Sequence, residues 1–223
     1  MLTDLQRRIA LTVSQVVQGE GFALAGGAAL IFQGVVDRRT RDLDFFTVDA
    51  TAVNRVCPEV EAALRSMGMS VTKRVDAPGF IRLEVSEANE TCEVDFGSDA
   101  RLRPAMATEL GPMIASEELA ADKTLALFGR AAARDFVDVF ALSEVFGQDR
   151  LLELAAEKDR GFDKQHFAEA LAAFSRLDRD LFDVADETYV ALRNWSTSWR
   201  YRILDRSIDR QTKDRGDDVG LGL

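Results

Sequence analysis

Apolar residues recur every three or four positions along LQRRIALTVSQVV, which predicts a helix over residues 3–18 that Gly19 and Gly21 bring to an end. A short β-type run, FALA, then meets Gly26-Gly27, and AALIFQG reads as a short helix starting on those glycines. After an arginine-rich turn, LDFFTV reads as a strand, and TAVNRVCPEVEAALRSMG as mostly helical, with Pro58 marking a new first turn and Gly68 a stop. Three β-type runs follow, SVTKRV, FIRLEVS and CEVDFG, separated by turn formers around Pro78-Gly79 and Asn89.

Beyond about residue 115 the period changes. SEELAADKTLALFGR, RDFVDVFALSEVFG, DRLLELAAEKD and DKQHFAEALAAFSRL all carry the helical repeat, and Ser116 followed by acids suits a helix start. The expected class is α+β: a mixed sheet flanked by helices over residues 1–112, then a helical bundle over residues 113–223. No internal repeat or low-complexity linker interrupts the chain, and the tail DRGDDVGLGL is expected to fray.

Composition narrows the setting. The 223 residues are 47% hydrophobic, enough for a sizeable core, and no apolar run approaches the length of about 20 needed to span a bilayer. The expectation is a soluble, cytoplasmic protein without a membrane partner. Cys57 and Cys92 lie far apart and match no metal spacing, so reduced thiols are expected rather than a disulfide. A net charge of −10 argues against a surface that binds nucleic acid all over. A local exception runs from Arg193 to Arg215, where seven basic residues outnumber three acids and Trp195 and Trp199 lie among them. Those tryptophans are one helical turn apart, the spacing of a packing face.

The chemistry gathers in FALAGGAALIFQGVVDRRTRDLDFF, residues 22–46. On a strand, positions i and i+2 share a side, so Asp42 and Asp44 aim two carboxylates at one spot. Like charges there repel unless a cation takes oxygen ligands from both, and a hard ion such as Mg²⁺ or Mn²⁺ suits them. Asp95, inside the apolar run CEVDF, is a third acid that a neighbouring strand could bring to the same face. A strand that breaks at Gly-Gly before a helix exposes backbone N–H groups suited to a phosphate. Taken together, the residues propose a metal held by three aspartates beside a polyphosphate.

GGAAL followed by RRTRDLDFF resembles the G-G-[ST]-A-L … R-x-[ST]-x-D-[IL]-D-F-F signature of the AbiEii/AbiGii-type nucleotidyltransferases, in the DNA polymerase β superfamily. EELAADKTLALFGRAAARDFVDVFAL resembles that family's later motif, a helical Lys followed by Arg and then R-D-x-x-D. The resemblance implies a toxin-like enzyme that moves a nucleotidyl group from an NTP to an acceptor hydroxyl with Mg²⁺ or Mn²⁺. It assigns Gly26, Gly27 and Ala28 to the triphosphate, and Asp42, Asp44 and Asp95 to metals and catalysis; Arg38 and Thr40, in the turn before the D-x-D, either orient the strand or serve as supporting phosphate binders. Lys123 matches the phosphate-contacting lysine, and Arg134, Asp135 and Asp138 the R-D-x-x-D element. It further implies a tRNA or other RNA acceptor end and a cognate antitoxin, with the helical half completing the active-site cleft.

Ala28 stands where the family carries Ser or Thr, so a hydroxyl is missing. That departure keeps open a catalytically silent nucleotide- or partner-binding module, and a small-molecule acceptor of the aminoglycoside type is a further alternative. Read without the motif, Lys123 snorkels to solvent from an apolar helix, and Arg134 with Asp138 forms an ordinary surface pair four residues apart. His166 is expected on the surface of a late helix.

Overall fold

The structure, a computed structural model, describes the backbone of residues 1–217 and side chains as far as residue 205. Arg206, Arg210, Lys213 and Arg215 of the basic stretch, and residues 218–223 of the tail, therefore lie outside the described side chains or residues. The chain forms two compact units, Met1–Leu119 and Ala120–Leu223.

The first unit is built on a mixed sheet. Helix α1 (Asp4–Val16) starts at a capping box in which Thr3 Oγ1 accepts from the Gln6 amide at 3.2 Å and Gln6 Oε1 from the Thr3 amide at 3.0 Å. Strand β1 (Ala23–Ala25) runs directly into α2 (Gly26–Phe32), and β2 (Asp42–Thr47) returns antiparallel to β1. Helix α3 (Ala50–Ser66) leads to β3 (Ser70–Ala77), β4 (Phe80–Glu87) and β5 (Glu90–Ser98), a meander of two hairpins. Two three-residue strands, β6 (Met106–Thr108) and β7 (Gly111–Met113), complete the order β3-β4-β5-β2-β1-β7-β6.

Alternation decides the two faces of this sheet. Leu43 and Phe45 of β2, Ile81, Leu83 and Val85 of β4, and Val94 and Phe96 of β5 are buried, with Phe45 stacked on Phe96 at 5.7 Å. Helices α1 and α3 pack on the sheet through Leu5, Ile9, Val13, Val53, Val56, Val60 and Leu64, all buried. The intervening residues, Asp42, Asp44, Arg82, Glu93 and Asp95, then share the opposite face.

Two expectations need correction. Pro58 does not open a new helix but sits inside α3, which continues from Ala50 to Ser66. Its missing N–H removes one intrahelical bond, and the buried stripe Val53–Val56–Val60–Leu64 on both sides of it keeps the helix in one piece. Strands β6 and β7 had no counterpart in the sequence pattern because three residues are too few to show alternation.

The second unit is helical. Helix α4 (Ser116–Arg130) crosses the boundary and is followed by α5 (Ala133–Phe146), α6 (Gln148–Lys158), α7 (Lys164–Ala172) and the long α8 (Asp186–Asp217). Its core is aromatic: Trp199 is buried with its ring edge-on to Phe167 at 4.9 Å, and Trp195 lies 5.2 Å from Trp199. Trp195 Nε1 donates to Ser143 Oγ at 2.9 Å, so the tryptophan pair packs as its spacing implied. His166 is exposed at the start of α7.

Candidate active site

Strand register assembles the acidic cluster. Asp44 on β2 lies beside Asp95 on the parallel strand β5, and Asp95 lies opposite Arg82 on the antiparallel strand β4. One rung of the sheet therefore reads Arg82, Asp95, Asp44, and ends at Ala25 on β1, next to the glycine turn. The adjacent rung reads Glu84, Glu93, Asp42. Asp42, Asp44 and Asp95 thus occupy one face, with Asp42 and Asp44 half-buried and Asp95 6% exposed.

The glycine turn is shaped around these side chains. Gly26 has φ +62°, a backbone conformation that L-residues disfavour, and a Cβ there would stand 1.8 Å from Asp44 Oδ2. A Cβ on Gly27 would meet Arg38 Nη2 at 2.8 Å and Thr40 Oγ1 at 3.2 Å. The two bare positions let the Asp44 carboxylate, the Arg38 guanidinium and the Thr40 hydroxyl close over one short stretch of backbone. Ala28, the third residue assigned to the nucleotide, is fully buried, so its side chain belongs to the core.

Thr40 links the turn to the acids. Its Oγ1 donates to Asp42 Oδ1 at 2.5 Å, and its carbonyl accepts from Gln6 Nε2 at 2.9 Å. Gln6, through the capping box of α1, thereby anchors the loop that delivers Asp42, a role the sequence reading missed.

Arg82 is the other residue it missed. Its Nε donates to Asp95 Oδ1 at 2.7 Å and its Nη2 to Asp95 Oδ2 at 2.6 Å, a two-pronged, charge-assisted pair. Glu93 Oε2 stands 3.8 Å from the same Nε. These hydrogen bonds to Asp95, followed by the charges of Asp95, Glu93 and Asp42, raise the Arg82 pKa above its ordinary value against the lowering effect of burial. Among the described residues, no three acidic, histidine or cysteine side chains stand together as a ready-made metal cage. The donor set on this sheet face is all carboxylate oxygen, the chemistry of a hard divalent cation, with Asp95 held by Arg82.

In the helical unit, Lys123 does not snorkel to solvent. It is 8% exposed, and its Nζ is 2.9 Å from Oδ2 of the fully buried Asp138. Asp135, also fully buried, accepts from the Ala132 amide at 3.1 Å and from Arg130 through Nε at 2.8 Å and Nη2 at 2.7 Å. The R-D-x-x-D acids thus fasten the α4–α5 corner, with Arg130 gripping the first and Lys123 the second.

Residues 9–194 match the family described as nucleotidyl transferase AbiEii toxin, type IV TA system. The chain belongs to the AbiEii nucleotidyltransferase toxin family. This AbiEii chain is a nucleotidyltransferase, built from a mixed sheet followed by helices. Its fold is similar to JHP933 from Helicobacter pylori, with TM-score 0.58 and 18% identity over 96% of this chain and 100% of the other. It is also similar to MenT4, a nucleotidyltransferase toxin from Mycobacterium tuberculosis H37Rv, with TM-score 0.59 and 19% identity over 88% of this chain and 82% of the other. No curated protein matches the AbiEii chain in sequence. Among its described residues, no helix is long and apolar enough to cross a membrane.

Proposed function

We propose that this toxin-family enzyme transfers a nucleotidyl group from an NTP to an acceptor hydroxyl, with a divalent cation held by Asp42, Asp44 and Asp95. The observation that carries this reading is the rung in which Asp44 and Asp95 are register partners, with Asp42 on the same face and the Gly26 turn at the end of it. A bound Mg²⁺ would neutralise phosphate charge and lower the pKa of the attacking hydroxyl. Gly26 and Gly27 put no Cβ between their backbone and an approaching phosphate, and Arg38 beside them adds a positive charge. Thr40 holds Asp42 by its Oδ1 and so fixes the direction of that carboxylate. Asp95 completes the acidic set and orients the acceptor. Lys123 enters the reading through its motif alone.

The acceptor class we favour is an RNA end, tRNA included. Exposed Arg193 and Arg202 on α8 supply local positive charge in an otherwise acidic chain. A cognate antitoxin, implied by the family, would restrain the activity in the cytoplasm.

Label from each α-labelled NTP, supplied with Mg²⁺ and total RNA, tests the reading. Incorporation by the wild type that Asp42→Asn abolishes is expected. Wild-type enzyme that labels nothing across RNA, protein and small-molecule acceptors contradicts it. The Arg82–Asp95 pair favours one alternative, a silent nucleotide-binding module, and calorimetry showing tight NTP binding in the same inactive preparation would select that alternative.

A further inference from the structure

Asp95 has two carboxylate oxygens, and Arg82 takes both, at 2.7 and 2.6 Å. Each oxygen keeps a further lone pair, but a cation that draws on Asp95 must contend with the positive charge of a guanidinium already seated on the same carboxylate. We propose that Arg82 is a displaceable counter-charge of the site: guanidinium and divalent cation are competing partners of Asp95, and Glu93 receives Arg82 when the cation wins. The inference rests on the proposed metal-binding role of the three aspartates.

Three observations give the exchange a physical route. Asp95 is nearly buried while the Arg82 side chain is 37% exposed, so the arginine can turn outward and leave the carboxylate in place. Glu93 Oε2 already stands 3.8 Å from Arg82 Nε, and its side chain is 48% exposed, so a second anionic partner lies within a small rotation. Glu84, the other acid near Arg82 on this face, is bonded to Arg74 at 2.6 and 3.2 Å, which leaves Glu93 as the acceptor at hand. Arg82, which feels the charges of Asp95, Glu93 and Asp42, would also offset their mutual repulsion before a cation binds.

Binding of Mn²⁺ alone, followed by the electron paramagnetic resonance of free Mn²⁺, reads the competition without reference to turnover. Arg82→Gln removes the competing charge and is expected to tighten Mn²⁺ binding by about tenfold, the worth of one charge-assisted hydrogen bond. Arg82→Lys, which keeps the charge but not the fork, should fall between Arg82→Gln and wild type, and serves if Arg82→Gln fails to fold. Glu93→Gln should weaken binding in the wild-type background and have less effect combined with Arg82→Gln. Added Mn²⁺ should raise the unfolding midpoint more in Arg82→Gln than in wild type.

Asp42→Asn separates this inference from the reading beneath it. If Asp42→Asn weakens Mn²⁺ binding but Arg82→Gln binds no more tightly than wild type, the competition is overturned and the metal site stands. If Asp42→Asn leaves Mn²⁺ binding unchanged, the metal site fails and the competition fails with it.

Discussion

Arg82 and Asp95 face each other across the antiparallel strands β4 and β5 and share two hydrogen bonds, at 2.7 and 2.6 Å. Because Arg82 is partly solvated and has Glu93 within 3.8 Å, Asp95→Asn does not strand a buried charge. Its expected cost is about 1–2 kcal/mol in urea unfolding, well below the loss for a sealed ion pair. Nucleotidyl transfer should nevertheless disappear, so a stable and inactive Asp95→Asn protein is the expected outcome.

Gly26→Ala tests the turn. The added methyl both occupies the place of the Asp44 carboxylate and strains a backbone at φ +62°. Strain of this kind costs about 1–3 kcal/mol. The displacement of Asp44 should lower turnover by about a hundredfold, as an ångström-scale misplacement does elsewhere. Steady-state kinetics with α-labelled NTP checks this, and full activity in Gly26→Ala would remove the turn from the site.

The helical unit offers a contrasting ion pair. Lys123 and Asp138 are both buried, so Asp138→Ala leaves an ammonium without its partner and should cost about 3–5 kcal/mol. The double variant Lys123→Met/Asp138→Leu should lose less than the sum of the two single changes. Chemical denaturation monitored by tryptophan fluorescence measures each, and additive losses would show that the pair is not coupled.

Burial pushes the thiols of Cys57 and Cys92 from 9.0 up to about 12. In the unfolded chain each ionises near pH 9, so the stability tied to the protonated folded thiols is complete below that pH and is lost as pH rises toward 12. At neutral pH both thiols should resist a disulfide reagent in the native protein and react only after unfolding. Rapid labelling of native protein would contradict their burial.

Much of the site could be read from residue order. D-x-D on a strand assigns Asp42 and Asp44 to one side by alternation alone, and Gly26-Gly27 marked the adjoining turn. Arg82 was also within reach: a two-residue turn at Ala88-Asn89 pairs Glu87 with Glu90, and the same register places Arg82 opposite Asp95. Neither strand's own alternation carries that pairing, which only the turn between them sets. Gln6 was less legible, since its bond to the Thr40 carbonyl joins residues 34 apart through tertiary packing. Helix α8 falls within the half expected to be helical, but its limits were not legible because no apolar stripe runs along its sequence.

The most direct measurement is anomalous diffraction from crystals soaked in Mn²⁺ with a non-hydrolysable NTP. A manganese peak between the carboxylates of Asp42 and Asp44, phosphate oxygens beside Gly26, and Arg82 turned from Asp95 toward Glu93 are the expected result. A nucleotide bound with no peak at the aspartates, and with Arg82 still gripping Asp95, would contradict it.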